Sequence, residues 1–164
     1  MTPYDLVLTP RGLRFLGRVF PCSLGRTGTT DRKKEGDGAT PTGTHRLVGM
    51  LYRKDRLARP SDWALPIRPG DLWSDDPKDE DYNLMIRAPS PFSHERLRRA
   101  DRLYDIVILT DWNWPYAVPG RGSAIFIHRW RKPGHPTEGC IALAPRHLRW
   151  IAPRIRHRTR LIIP

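Results

Sequence analysis

A histidine and a cysteine in the stretch HRWRKPGHPTEGCIAL, residues 128–143, have the chemistry of a base and a nucleophile. His128 ends an apolar run, which predicts a buried strand with a rigidly held side chain at its end. The loop that follows is rich in proline and glycine, so the chain can turn back and bring Cys140 towards the imidazole. Because a neighbouring imidazole or cation stabilises a thiolate, this spacing favours a thiol–imidazole pair.

The glycine before the cysteine indicates a close approach of the backbone to a substrate carbonyl. We expect the N–H groups of Gly139 and Cys140 to stabilise an oxyanion there. Two alternatives use the same residues. A zinc site could combine His128, His135 and Cys140, although no C-x-x-C or H-E-x-x-H motif accompanies them. A disulfide to Cys22, the second of two cysteines, would consume the thiol, and nothing in the spacing requires it.

Short strands are the elements that must position this pair. Seventeen prolines and thirteen glycines among 164 residues favour frequent turns and few long helices. A short helix is predicted over 144–152, because Pro145 suits a first helical turn. Apolar, β-prone runs predict strands over 4–9, 13–20, 104–110 and 123–128. These elements together predict a mainly β fold.

Three segments have less regular sequences. Residues 25–47 are rich in Gly, Thr, Pro and charge and predict a long surface loop. Residues 53–101 are predicted to be irregular except for a second short helix over 93–101, with Ser93 as its N-cap. Arginines at every second position over 154–160 predict a strand with one arginine-bearing face.

Length and charge limit the classes of function. We expect a single domain over 1–164, since the length is typical of one domain and no low-complexity segment divides it. The formal net charge of +12 favours an anionic partner: nucleic acid, an anionic polymer or a substrate that carries carboxylates. The sequence contains no run of about 18 apolar residues, so it predicts no membrane-spanning helix. The first residues show neither the apolar core nor the cleavage site of a signal peptide.

Five motifs in this order resemble one family. They are EGDGATPTG at 35–43, WSDDPKDEDYN at 73–83, SHERL at 93–97, PGRGSAIFIH at 119–128 and HPTEGCIAL at 135–143. The set is similar to the YkuD-type L,D-transpeptidase catalytic domain, in its compact branch with P-T-x-G-C-x-A-L, and the likeness covers nearly the whole chain. It implies a β-sandwich with one or two short helices, here with a long proline-rich insertion.

The resemblance also implies a reaction. Such enzymes attack the carbonyl of an L-centre in a peptidoglycan donor stem with a cysteine thiolate, form a thioester, and pass the acyl group to the diaminopimelate amine of an acceptor stem. On this sequence Cys140 matches the nucleophile and His128 the base. Thr137 and Gly139 match the turn that shapes the oxyanion site. The resemblance implies no cofactor and no metal, and we expect a monomer that binds muropeptide stems rather than nucleic acid.

Three positions depart from the common pattern of the family. Arg129 follows the base histidine where glycine is usual, and Glu138 replaces a histidine before the G-C pair. Ala142 stands where arginine or asparagine is usual. The compact branch shares these absences and has been linked to 1,3 crosslinks, from L-alanine to diaminopimelate. We therefore favour 1,3 over 3,3 crosslinks, and expect Arg129 and Glu138 to contribute to substrate binding.

Other residues of the shared motifs are candidates for substrate contact. Tyr82 and Asn83 could bind a stem or a glycan, or simply close a turn, and His94 could support the site or lie in the first helical turn. The segment 60–92 could narrow the entrance and so select the donor, or merely pack against the domain.

Two other functions remain possible on this sequence. Water could resolve the thioester, which would make the enzyme an L,D-carboxypeptidase or amidase on peptidoglycan stems. A basic nucleic-acid-binding protein is a more remote alternative, because no motif for such binding occurs. Because the resemblance implies peptidoglycan as the substrate, we expect the protein in the periplasm.

Overall fold

The computed structural model describes all 164 residues, Met1–Pro164. Fifteen strands and one helix follow one another along the chain. The strands are β1 Leu6–Thr9, β2 Gly12–Phe15, β3 Arg18–Phe20, β4 Cys22–Ser23, β5 Thr29–Thr30, β6 Thr40–Pro41, β7 Gly43–Tyr52, β8 Ala64–Pro66, β9 Asp71–Ser74, β10 Met85–Arg87, β11 His94–Arg96, β12 Ile106–Thr110, β13 Phe126–Arg129, β14 Ile141–Leu143 and β15 Arg160–Ile163, and the helix is α1 Pro145–Ile151.

One long strand joins the two layers of the main sheet, whose order is β3-β2-β1-β15-β7-β12-β13-β14-β4. β7 pairs with β15 through 43–46 and with β12 through 47–52, so its two ends belong to different layers. We call β1, β2, β3 and β15 the first layer, and β4, β12, β13 and β14 the second layer; β8 adds to β7. The arrangement is a mainly β sandwich, as predicted.

Apolar residues of both layers fill the main core. Leu13 and Phe15 from the first layer meet Ile106 and Ile108 from the second, all at most 2% exposed. The helix closes one end of this core with Leu148 and Ile151. Each fully buried side chain of this kind contributes about 1.5–3 kcal/mol, so the second layer, which carries the site, is rigidly backed.

The second layer is buried on both faces. Along β12, Ile106 and Ile108 face the main core while Val107, between them, faces a second core, because side chains alternate along a strand. An outer sheet in the order β10-β9-β11 covers this second core. The rings of Trp73 on β9 and Phe126 on β13 meet edge to face with centroids 5.0 Å apart.

Three predictions about the elements need correction. The segment 93–101 is not a helix: His94–Arg96 is strand β11, paired with β9, because its apolar Leu97 is buried in the second core with a strand's spacing. The segment 53–101 is not irregular, since it supplies β8 to β11. In 154–160 only Arg160 lies in a strand, and its guanidinium pairs with Asp5 at 2.6 Å, so no arginine-bearing face forms.

The remaining element predictions agree with the structure. Strands occur within 4–9, 13–20, 104–110 and at 126–129, and Pro145 is in the first turn of α1. The predicted loop 25–47 holds the short strands β5 and β6, but it ends earlier than predicted, because β7 begins at Gly43. No helix is long and apolar enough to cross a membrane.

Candidate active site

Parallel pairing of β13 with β14 brings His128 and Cys140 to one face. The register places His128 beside Ala142, so Cys140, two residues earlier, has its side chain on the same side. Both side chains line one cavity of about 430 Å³. Its walls are Glu95, Arg99, Leu103, Tyr104, His128, Trp130, Arg131, His135, Pro136, Thr137, Glu138, Cys140 and Ala142. The structure therefore brings the two residues predicted to form a thiol–imidazole pair together in one cavity.

His128 is held as a neutral imidazole. It is 8% exposed, and burial lowers its pKa from 6.5 to about 4. Its Nδ1 lies 2.7 Å from the main-chain oxygen of Arg129, which can only accept a hydrogen bond. Nδ1 therefore carries the proton and Nε2 is left as an acceptor. The ring of Tyr104 meets the imidazole edge to face at 5.3 Å and fixes its plane.

Cys140 is held as a neutral thiol. Burial, and after it the negative charge of Glu95, raise its pKa to about 12. The Sγ–H donates to the carbonyl of Ala124 at 3.1 Å, and Sγ accepts from the N–H of Phe126 at 3.4 Å. No hydrogen bond joins Sγ to His128.

The turn before the cysteine leaves one main-chain donor free. Thr137 Oγ1 donates to the carbonyl of Cys140 at 2.6 Å and accepts from the N–H of Gly139 at 3.2 Å. Thr40 donates to the carbonyl of Gly139 at 2.8 Å. Because the C=O and N–H of a trans peptide point in opposite directions, the N–H of Cys140 points away from Thr40. This N–H has no hydrogen-bond partner. Of the two predicted oxyanion donors, only Cys140 N–H is unoccupied.

Gly139 is required by its backbone and by its neighbours. Its φ of +140° is a conformation that other residues rarely adopt. A Cβ there would lie 2.8 Å from the carbonyl oxygen of Ala39 and 3.2 Å from Ile125 Cδ1. Asp37 accepts from the N–H of Ala39 at 2.9 Å and pairs with the buried ammonium of Lys33 at 2.6 Å. The 35–43 motif thus forms the rigid surface on which the cysteine turn rests.

A comparison with known protein families gives a match over residues 9–163 to YkuD, the L,D-transpeptidase catalytic domain. The chain belongs to the YkuD family. Searches of curated proteins and of solved structures found no match. The family match agrees with the resemblance drawn from the five motifs, and it indicates L,D-transpeptidase activity on peptidoglycan.

Tyr82 and Asn83 do not line the cavity of this YkuD domain. Asn83 is buried with φ +61°, and its amide makes four hydrogen bonds: it accepts from Trp73 Nε1 and from the N–H of Ala124, both at 3.0 Å, and it donates to two main-chain carbonyls. The Tyr82 hydroxyl accepts from Gly122 N–H at 3.1 Å and donates to Glu35. Both residues fix the segment 122–124 just before β13, and the carbonyl of Ala124 in this segment accepts from the thiol.

The two charged departures from the family pattern lie outside the centre of the YkuD site. Glu138 is at the rim, with a side chain 78% exposed, and pairs with Arg26 at 3.0 Å. Arg129 extends from the opposite face of β13 into a separate cavity, which Arg102 and Arg149 also line. Ala142 also lines the cavity, and it is paired directly with His128.

The strand at 94–96 brings a residue to the site that the sequence did not suggest. His94 faces away: its Nδ1 donates to the carbonyl of Phe92 at 2.7 Å, and its side chain lines a different cavity. Glu95, its neighbour, faces the active-site cavity and receives the hydroxyl hydrogen bond of Tyr104. A strand assignment for this segment would have found it, because alternation separates adjacent side chains.

The segment 60–92 does not narrow the cavity. No residue of 60–92 lines the cavity, and this segment instead covers the second core behind Phe126. Both cysteines are free, so no bridge joins Cys22 to Cys140. No group of three or more His, Cys, Asp or Glu side chains is placed to hold a metal ion, and His128, His135 and Cys140 share the cavity without forming such a group.

Proposed function

We propose that this YkuD domain crosslinks peptidoglycan stems through a thioester on Cys140, with His128 as the general base. The observation that carries the proposal is the shared face: register places both side chains in one cavity, and the imidazole has its acceptor nitrogen free. The cavity volume of about 430 Å³ is within the range of small-ligand sites.

Proton transfer is coupled to attack in this proposal. In the free enzyme the raised pKa of Cys140 and the lowered pKa of His128 keep both groups neutral, so they do not form an ion pair. The carbonyl carbon of the donor must be within reach as Nε2 of His128 takes the thiol proton and Sγ forms its bond to carbon. The oxyanion then accepts from the free N–H of Cys140.

Collapse of the tetrahedral intermediate completes acylation. The bond from carbon to the leaving nitrogen breaks, and the imidazolium of His128 gives its proton to that nitrogen. The acceptor amine, the side-chain amine of diaminopimelate, next attacks the thioester. A new C–N bond forms, the C–S bond breaks, and the thiol of Cys140 is regenerated.

We favour L-alanine as the acyl donor, which gives 1,3 crosslinks. Cys140 is only 9% exposed and is packed among second-core residues such as Phe126, a setting that suits an L-centre with a methyl side chain better than one with the long side chain of diaminopimelate. The guanidinium groups of Arg99 and Arg131 line the same cavity, and they suit a carboxylate on the residue that leaves. We propose that the enzyme works as a periplasmic monomer.

Digestion of purified sacculi tests the proposal, with the muropeptides identified by mass spectrometry. The unsubstituted protein should produce dimers whose new bond joins L-alanine to diaminopimelate. Cys140→Ala should produce none while keeping its fold. Cys22→Ala is the matched control: this half-buried thiol packs on the main core, so its loss should leave the products unchanged.

Each other outcome has a defined meaning. Dimers joined through the L-centre of diaminopimelate would establish 3,3 crosslinking and refute the 1,3 assignment. Trimmed monomers without dimers would establish the hydrolase alternative. Full activity of Cys140→Ala would refute the cysteine mechanism.

A further inference from the structure

A carboxylate from the outer sheet, that of Glu95, lies in the same cavity as Cys140. Glu95 lies at the centre of β11, paired with Trp73 of β9, and its side chain lines the same cavity as Cys140 and His128. Its neighbour in the cavity wall is Tyr104, whose hydroxyl donates to Glu95 Oε2 and whose ring packs on His128. The carboxylate is therefore held by a rigid aromatic side chain that also touches the base.

Glu95 is the carboxylate of this cavity without a cationic partner. The other one, Glu138, is at the rim and pairs with Arg26. The guanidinium of Arg99, which lines the same cavity, is engaged by Asp101 at 2.6 and 2.9 Å. Glu95 forms no ion pair, and its one hydrogen bond comes from a neutral hydroxyl. In a protein with 29 lysines and arginines, a carboxylate left unpaired in a polar cavity is able to receive a cation from a ligand.

The position of this charge works against the nucleophile of the free enzyme. Burial raises the pKa of Glu95, and its negative charge raises the pKa of Cys140. A site that needed only a thiolate would place a cation here. The charge becomes favourable when a positive group of a substrate neutralises it.

We infer that Glu95 binds the ammonium group of the acceptor and so favours an amine over water in resolving the thioester. The inference rests on the proposed function, because an acceptor amine enters only in the second half-reaction. The bound ammonium must lose two protons in becoming an amide. One proton ends on Sγ when the C–S bond breaks, with His128 as the carrier, and the other leaves to solvent. Glu95 is a binding residue in this step and forms no covalent bond.

The test separates acylation from transfer in the Glu95→Gln variant. Acylation of Cys140 by a muropeptide donor is followed by intact mass, and the products are then divided between aminolysis and hydrolysis. Two acceptors are compared at neutral pH: a diaminopimelate-containing tripeptide, whose amine is protonated, and hydroxylamine, which is mainly neutral. Glu80→Gln is the matched control, because it removes the same charge from an exposed residue outside the cavity.

The expected result is selective. In Glu95→Gln the ratio of aminolysis to hydrolysis with the tripeptide falls about tenfold to a hundredfold, the size of a hydrogen bond to a charged group. The ratio with hydroxylamine is unchanged, and acylation is as fast as before or faster, since a charge opposed to the thiolate is gone. Tyr104→Phe, which keeps the ring against His128, should show a smaller fall with the tripeptide.

Two results would overturn the inference. An unchanged ratio with the tripeptide means that Glu95 does not bind the ammonium. An equal fall with both acceptors, or slower acylation, means that Glu95 only supports the local structure. If the unsubstituted protein forms no adduct on Cys140 with any muropeptide, the proposed function itself fails, which is a different outcome from either.

Discussion

Substitution of Gly139 by alanine tests whether the cysteine turn is as constrained as its contacts indicate. The φ of +140° disfavours any Cβ, at about 1–3 kcal/mol for a backbone in a sparsely populated region. The added methyl would also lie 2.8 Å from the oxygen of Ala39, a contact that overpacks the site at about 1–3 kcal/mol. Ala39 cannot yield easily, because Asp37 holds its N–H. The expected loss of unfolding free energy is about 2–6 kcal/mol in total.

Gly134→Ala is the control within the same loop. Gly134 also has a positive φ, +73°, but a Cβ there would meet no atom within 4 Å. Gly134→Ala should lower the free energy of unfolding by only about 1–2 kcal/mol, the cost of placing a residue with a Cβ in the left-handed conformation. Urea unfolding followed by tryptophan fluorescence gives both free energies, and muropeptide analysis gives both rates. If the turn relaxes instead of unfolding, a displacement of Cys140 by about 1 Å should lower the Gly139→Ala rate roughly a hundredfold. Equal stability and equal rates in the two variants would refute the constraint.

Three further predictions concern the surroundings of the pair. Asn83→Asp should lower the unfolding free energy by about 3 kcal/mol or more in urea titrations, because it removes two buried donors to carbonyl oxygens. The pKa of His128 is about 4 in the folded protein and 6.5 in the unfolded chain, so between these pH values the unfolded chain binds the proton more readily. The free energy of unfolding should therefore fall by roughly 3 kcal/mol as the pH is lowered from 6.5 to about 4. In His128→Gln this part of the pH dependence should be absent. Glu138→Gln should cost less than about 1 kcal/mol, an effect that added salt erases, since its pair with Arg26 is exposed.

Strands β12 and β13 could be predicted from the sequence because each is a short apolar run bounded by turns. The Pro/Gly loop after His128 implied a return of the chain, and the parallel pairing of β13 with β14 confirms that return. The sequence did not show that the thiol bonds to the main chain of Ala124 rather than to the imidazole. That choice depends on side-chain rotation within a packed core, which no spacing encodes.

Motif membership did not distinguish substrate contacts from internal contacts. Tyr82 and Asn83 belong to a motif shared with the family, yet every polar atom of the Asn83 amide is used within the domain. Its partners are far apart in the sequence, so a single chain gives no sign of them. The segment 93–101 failed for a related reason: Ser93 and the charged residues after it favour a helix locally, but pairing with β9 and burial of Leu97 override that preference.

The departures from the family pattern can now be separated by position. Side-chain alternation on β13 turns Arg129 away from the cavity that holds His128, and Glu138 pairs with Arg26 at the cavity rim. Ala142 is different, because it lies beside the imidazole and leaves space where the larger family has a long polar side chain. Glu95 faces that space from the other wall. We therefore expect the choice of donor and acceptor to depend more on the small side chain at 142 and on the charge at 95 than on Arg129 and Glu138.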